Sequence, residues 1–271
     1  MLERYCVIGN PIGHSKSPAI HAAFARQTGQ AIDYQRCLAP LDAFGATLQQ
    51  LIADGYRGAN VTVPFKLDAA ALCTTLSARA QAAGAVNTLL FANGIIGGDN
   101  TDGAGLVCDI VRNAGFDIGG KRILLLGAGG AARGAILPLL EQQPRELVIA
   151  NRSGATAEAL VARFAAPGRS LSACQFAELD GPFELVVNAT SASLSGAIPP
   201  VPAIVFSTST LALDMMYGNQ PTPFMDFASS HGATPRDGLG MLVEQAAEAF
   251  ALWRGIRPET AMILTTMRAS L

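Results

Sequence analysis

The chain has 271 residues, of which 50% are hydrophobic and 15% charged, with a formal net charge of -2. That length and apolar content suit two medium domains with buried cores, and no basic excess exists to match a nucleic-acid backbone. No apolar run approaches the roughly 20 residues that span a bilayer, and the start runs into only a short apolar stretch ending at Gly9, so a cytoplasmic protein is expected.

Short apolar runs alternate with longer helical segments, the pattern of strand–helix–strand units on a mainly parallel sheet. Strands are predicted at residues 5–9, 34–38 and 59–63, with helices near 17–28 and 42–53 between them. The rhythm then changes. Residues 86–91 and 95–97 read as two strands joined by Asn93-Gly94, a strong hairpin signal. After Asp102 a helical segment leads to a fresh strand at 122–126, followed by strands near 147–150, 184–188 and 212–216. From Leu239 the chain is helical to Trp253, and a last helix follows Pro258. The expected fold class is α/β in two domains. Residues 1–103 form an N-terminal substrate domain with a mainly parallel sheet, completed by helices within 239–271. Residues 104–238 form a Rossmann-like dinucleotide-binding domain.

Gly127-Ala128-Gly129-Gly130-Ala131-Ala132 directly follows the strand at 122–126 and opens a helix running toward Leu140. It fits G-x-G-x-x-A, in which the first glycine permits the tight turn and the second lets the backbone approach a pyrophosphate. A small third residue packs helix on strand. The helix N-terminus then offers unpaired N–H groups to phosphates. At the end of the next strand an NAD site usually places an acid, whereas this chain has Asn151-Arg152-Ser153. A guanidinium there suits the 2′-phosphate of NADP, the alternative being a solvated arginine at a strand end.

Ser15 and Ser17 lie in a loop bounded by glycine and proline after the first strand, and Ser17 is also placed to cap the following helix. Alternation puts Asn60 and Thr62 on one face of their strand, with Lys66 just beyond Pro64. Asn87 and Asp102 flank the hairpin, where each could also serve the turns. Polar groups at the carboxyl ends of strands are where open α/β sheets bind ligands. Cys6, Cys37, Cys73, Cys108 and Cys174 include no CxxC pair and are expected as free, mostly buried thiols. His14, His21 and His231 stand near no other ligand at metal spacing, so no bound metal is expected.

GNPIGHSKSP, GANVTVPFK, AGAVNT, GDNTDG, GAGGAARG, NRS, NATS, the Asp214-Met215-Met216-Tyr217 segment and GLGMLVEQAAEAF together resemble the shikimate dehydrogenase family, in order and at its spacing over nearly the whole chain. The resemblance implies NADPH-dependent reduction of 3-dehydroshikimate to shikimate, with NADP as cofactor and small molecules as partners; a homodimer is left open. It implies that Ser15, Ser17 and Tyr217 hold the substrate carboxylate or its neighbourhood. Asn60, Thr62, Asn87, Asp102 and Gln245 would bond the ring hydroxyls, and Lys66 and Asp102 would form the catalytic pair. Gly127, Ala128, Gly129, Gly130 and Ala131 would cradle the cofactor phosphates, Asn151, Arg152, Ser153 and Thr156 would face its adenosine end, and Met215 and Gly238 would border the nicotinamide. On its helix, Gln245 could instead flank the apolar stripe of Met241 and Ala249.

Two positions depart from the family pattern. Many NADP-dependent members carry a second basic residue soon after the NR pair, where this chain reads Gly154-Ala155-Thr156. The frequent acidic-Arg pair before AGAVNT reads Ser77-Ala78-Arg79. Two rival readings are a relative preferring quinate or NAD, opposed by Ser17 and Asn151-Arg152-Ser153, and a silent ligand sensor, opposed by the retention of Lys66 and Asp102.

Overall fold

Apolar runs and amphipathic segments build two α/β units, Met1–Gly105 with Val243–Ser270, and Leu106–Leu242 with Leu271. The structure is a computed structural model that describes residues 2–166 and 168–271, with Leu194 described by its backbone alone.

The first unit begins β1 (Glu3–Gly9), α1 (Ser17–Thr28), β2 (Ile32–Leu38), α2 (Phe44–Ala53), β3 (Tyr56–Val61) and α3 (Lys66–Leu72). It continues through β4 (Thr75–Leu76), α4 (Ala78–Ala83), β5 (Thr88–Ala92) and β6 (Ile95–Asp99) to α5 (Asp102–Cys108), which crosses into the second unit. Its sheet runs β2-β1-β3-β5-β6-β4. The first three strands are parallel, and β5 is antiparallel to both its neighbours. Asn93 and Gly94 both take positive φ, 52° and 74°, which is the backbone that a two-residue hairpin turn matching strand twist demands. One face buries Cys6, Ile8, Leu48, Val61, Phe65 and Leu89, of which each aliphatic or phenyl side chain contributes roughly 1.5–3 kcal/mol of burial. The other buries Tyr5, Val7 and Tyr34 against Trp253.

The second unit contains β7 (Arg122–Leu126), α6 (Gly130–Glu141), β8 (Glu146–Ala150), α7 (Gly154–Phe164), β9 (Leu171–Cys174), β10 (Leu185–Asn188), β11 (Leu211–Asp214), α8 (Pro223–Ser230) and β12 (Thr234–Arg236). Its strands are all parallel in the order β12-β11-β10-β7-β8-β9, the doubly wound arrangement of dinucleotide-binding sheets. Then α9 (Leu239–Arg254) returns to the first unit, where α10 (Ala261–Ala269) ends the chain. Both crossings fall inside helices, α5 and α9, rather than in linkers.

Several local expectations need correction. The strand expected at 59–63 starts three residues earlier and ends at Val61, because the ladder to β1 stops at Ile8. Thr62 still gives its N–H to the Ile8 carbonyl at 2.9 Å. Ser17 does not cap α1: the helix begins at Ser17 itself, and Lys16, whose side chain makes no capping hydrogen bond, occupies the cap. Of the five free cysteines only Cys6 is buried, the others being half-buried. The strands β4, β9 and β12 were not expected. They are two to four residues long, too short to show alternation, and Pro235 is tolerated in β12 because that strand is a sheet edge.

Candidate functional site

In the first unit the strand order reverses direction between β1 and β3, and the chain leaving their carboxyl ends carries Ser15, Ser17, Thr62 and Lys66. Such a switch point opens a crevice, since the two connections leave toward opposite faces. Ser15 is partly exposed and fixed by Arg36, which donates to its carbonyl through Nε at 3.0 Å and a terminal nitrogen at 2.6 Å. Its hydroxyl accepts the Ser17 N–H at 3.3 Å, and Ser17 is buried.

Lys66 is the first residue of α3, and its carbonyl accepts the Val86 N–H at 2.8 Å, tying the helix to the segment before β5. Its Nζ donates to Asp102 Oδ2 at 2.6 Å, with the side chains 14% and 7% exposed. So dry a pair is little screened and has few alternatives in water. Asp102 Oδ1 accepts from Asn87 Nδ2 at 2.8 Å. The same amide nitrogen lies 3.0 Å from Thr101 Oγ1 and 3.3 Å from Gln245 Oε1, crowding three acceptors around two hydrogens. Gln245 reaches this cluster because α9 crosses α5 at Gly105, where any Cβ would run into the Gln245 backbone. Gln245 faces Asn87 from a helix whose Met241 and Ala249 are buried, so the polar contact and the apolar stripe coexist.

Asn60 behaves differently from its expectation as a ligand to substrate hydroxyls. Its Oδ1 accepts from Tyr34 Oη at 2.7 Å, and its Nδ2 donates to the Asn87 carbonyl at 3.2 Å and Thr88 Oγ1 at 3.1 Å. Both amide hydrogens are thus engaged by protein. Asn60 holds the start of β5, and with it Asn87.

Four further residues support this site without having been singled out from the sequence as part of it: Asp99, Arg79, Ser77 and Tyr34. Asp99 ends β6 and is buried, and burial alone would raise its carboxyl; Arg79 and Ser77 hold it below the usual range instead. Ser77 caps α4 by accepting from the Ala80 N–H at 3.2 Å and donates to Asp99 Oδ1 at 2.5 Å. Tyr34, stacked on His21 at 4.1 Å, orients Asn60. The acid of GDNTDG and the arginine of Ser77-Ala78-Arg79 were both visible as motif letters, but nothing local announced that they pair.

In the second unit the switch point lies between β7 and β10. Gly127 leaves β7 with φ +102°, where an added Cβ would also press on the Ala189 carbonyl at 3.2 Å, so only glycine fits. Beyond it α6 starts at Gly130, and Ala132 is buried against the sheet. A Cβ built on Gly129 would meet nothing within 4 Å, so open space faces the first turn of α6 with Ala128 and Ala131 beside it. That combination of free N–H groups and room is what a pyrophosphate needs.

At the end of β8, Asn151 Nδ2 donates to the Ser153 carbonyl at 3.1 Å and Thr156 Oγ1 to Ser153 Oγ at 3.1 Å. Arg152 is exposed and has no hydrogen bond or ion pair among the described residues, leaving its fork available to an anion. Past β11, Met215 gives its N–H to the Asn188 carbonyl at 3.0 Å, and the Gly238 N–H bonds the Met216 carbonyl at 2.9 Å, so Met215 and Gly238 are neighbours. Asp214 anchors this turn: fully buried, it accepts from Ser193 Oγ and Thr222 Oγ1, each at 2.6 Å, and from the Met216 N–H at 3.0 Å. Tyr217, which follows Met216, is half-buried in the same unit.

Comparisons with known proteins extend over the chain. A family model described as "Shikimate dehydrogenase substrate binding domain" matches residues 7–89, one described as "Shikimate / quinate 5-dehydrogenase" matches 109–195, and one described as "Shikimate 5'-dehydrogenase C-terminal domain" matches 238–268. A curated shikimate dehydrogenase (NADP(+)) from Herminiimonas arsenicoxydans is 62% identical over 271 residues, covering 100% of this chain and 99% of the relative. The crystal structure of shikimate 5-dehydrogenase from Thermus thermophilus in complex with NADP(H) and shikimate is 33% identical with a TM-score of 0.88, covering 99% of this chain and 100% of that one. An Ael1 enzyme from Pseudomonas putida is 48% identical with a TM-score of 0.92, covering 97% of each chain.

Proposed function

The chain belongs to the shikimate dehydrogenase family, and from that premise we propose that it interconverts 3-dehydroshikimate and shikimate with NADP(H), an oxidoreductase step in aromatic amino acid biosynthesis. The observation that carries this reading is the dry Lys66–Asp102 pair, bonded by an Asn87 amide that also meets Thr101 and Gln245, in a family whose curated members are named for this substrate.

In the second unit, Gly127, Ala128, Gly129, Gly130 and Ala131 hold the cofactor pyrophosphate against α6, and Arg152 with Asn151, Ser153 and Thr156 takes the 2′-phosphate end. Met215 and Gly238 border the nicotinamide, which when bound supplies or takes the hydride. In the first unit, Ser15 and Ser17 hold the substrate carboxylate, a role that the motif resemblance extends to Tyr217. Thr62, Asn87, Asp102 and Gln245 bond the ring hydroxyls, while Asn60 acts by keeping Asn87 in place.

In the reductive direction Lys66 Nζ hydrogen-bonds the ketone oxygen and gives it a proton as negative charge develops, leaving the product hydroxyl and a neutral amine that regains its proton from solvent. In the oxidative direction the neutral amine takes the hydroxyl proton. Asp102 accepts from the lysine and from a substrate hydroxyl together, so the proton donor and the carbonyl stay aligned through the transition state. Neither role needs a metal ion, and the proposed partners are small molecules. The proposed compartment is the cytoplasm; among the described residues no helix is long and apolar enough to cross a membrane.

The test is NADPH consumption with 3-dehydroshikimate, run beside NADH and quinate controls. Turnover with 3-dehydroshikimate and NADPH is expected to exceed both. No turnover by folded protein would refute the assignment, and faster turnover of quinate with NAD would move it to that relative.

A further inference from the structure

Asp102 stands at the end of a four-residue segment, and what fixes that segment is a guanidinium from elsewhere in the chain. Arg79 on α4 donates from Nε and a terminal nitrogen to the two oxygens of Asp99, at 2.7 and 2.8 Å. Its other terminal nitrogen donates to Glu248 Oε1 on α9 at 3.0 Å. Asp99 is held from other directions too, by Ser77 Oγ at 2.5 Å and the Asn100 N–H at 2.7 Å. The Asn100 side chain then accepts the Asp102 N–H at 3.2 Å and donates to the Ala85 carbonyl at 3.0 Å. On the α9 side, Glu248 lies three residues, less than one turn, from Gln245. It is anchored again by Arg257, which donates to it at 2.6 Å and to Glu244 at 2.8 Å.

We propose that Arg79 is a positioning residue for the proton-transfer pair, clamping the Asp99–Asp102 segment to α9 so that Asp102 and Gln245 meet substrate and Lys66 in one geometry. Arginine is required for this because its planar fork makes two parallel bonds to Asp99 while its third nitrogen reaches Glu248; a lysine offers one point charge. Ser77 completes the clamp. A hydroxyl there donates to Asp99, whereas an acid in its place would set a second negative charge beside that carboxylate.

A displacement of the reacting groups of about 1 Å lowers turnover by up to a hundredfold, so loss of the clamp should register in chemistry before it registers in cofactor binding. The proposal rests on the assignment of Asp102 above, and a double-mutant cycle separates the two. Arg79→Met, Asp102→Asn and the double variant are compared by kcat/KM for shikimate, with NADPH affinity by titration and unfolding as controls. Arg79→Met in the wild-type background should lower kcat/KM about tenfold to a hundredfold, leaving the NADPH Kd within about twofold. In the Asp102→Asn background it should cost less than about threefold, since a clamp that acts through Asp102 has nothing left to position. Arg79→Lys should recover only part of the activity. Where Arg79→Met does not fold, Arg79→Lys runs the same cycle with the charge retained. Equal losses in both backgrounds, or full activity in a folded Arg79 variant, overturn the proposal. Asp102→Asn turning over like wild type would instead remove Asp102 from the site, and the clamp with it.

Discussion

His21 should make the first unit lose stability in mild acid. The ring is fully buried, lies flat on Tyr34 at 4.1 Å and 6°, and is otherwise walled by Phe24, Phe250 and Trp253, all uncharged. Neither ring nitrogen has a hydrogen-bond partner among the described residues. Burial of the charged form pushes its pKa down from 6.5 to about 3, with the neighbouring Asn60 amide opposing. A histidine depressed in the folded state binds its proton only when unfolded, so its contribution is fully present above pH 6.5 and is lost as pH falls toward 3. Between about pH 7 and pH 5 the unfolded chain takes up the proton while the folded chain does not, which costs about 2 kcal/mol. Trp253, the only tryptophan, sits 5.5 Å from His21, so its fluorescence during urea unfolding reports on this unit. His21→Phe removes the titration and keeps the stack. Wild type should lose about 2 kcal/mol more than His21→Phe between the two pH values, a difference that cancels all other titrating groups. Equal losses in the two proteins, to within about 0.5 kcal/mol, would mean that the imidazole is protonated in place or that the pocket opens before it charges.

Lys66→Ala should lower kcat roughly a hundredfold, the equivalent of about 3 kcal/mol in the transition state, with a smaller change in substrate KM; turnover within about threefold of wild type would remove Lys66 from the chemistry. Arg152→Ala should raise the KM for NADPH about tenfold to a hundredfold and leave NADH nearly unchanged, as expected of a charge-assisted bond worth roughly 1.5–3 kcal/mol. Thr156→Arg, which adds a second arm, should lower the KM for NADPH alone, and an equal effect on both cofactors would place either residue outside phosphate recognition. The half-buried Cys37 has its pKa lowered by the Cys6 sulfhydryl, so the midpoint of its alkylation by iodoacetamide should fall below that of an ordinary thiol. Cys73, which burial pushes up to about 11, should lag, and Cys6→Ala should shift the Cys37 midpoint upward; an unmoved midpoint would clear Cys6 of that role.

The features readable from the chain alone are those whose cause is local. The glycine loop is legible because strand, tight turn and helix follow one another within a few residues, and only glycine tolerates φ +102° at Gly127. Asn93-Gly94 announces its hairpin for the same reason, and so do the strands long enough to alternate. The motif resemblance added the identities of Lys66, Asp102 and Gln245, without their geometry. What the sequence could not reveal is how the polar side chains divide their hydrogen bonds. Asn60 reads as a ligand on its strand, yet Tyr34, twenty-six residues away, and Asn87, twenty-seven away, occupy its amide. Arg79 meets Glu248 across 169 residues, and His21 becomes an uncharged ring only because α9 returns Phe250 and Trp253 to its side. Local sterics and side-chain periodicity determined the elements and the phosphate loop; burial and pairing, which depend on groups brought together from distant parts of the chain, were decided by the tertiary structure alone.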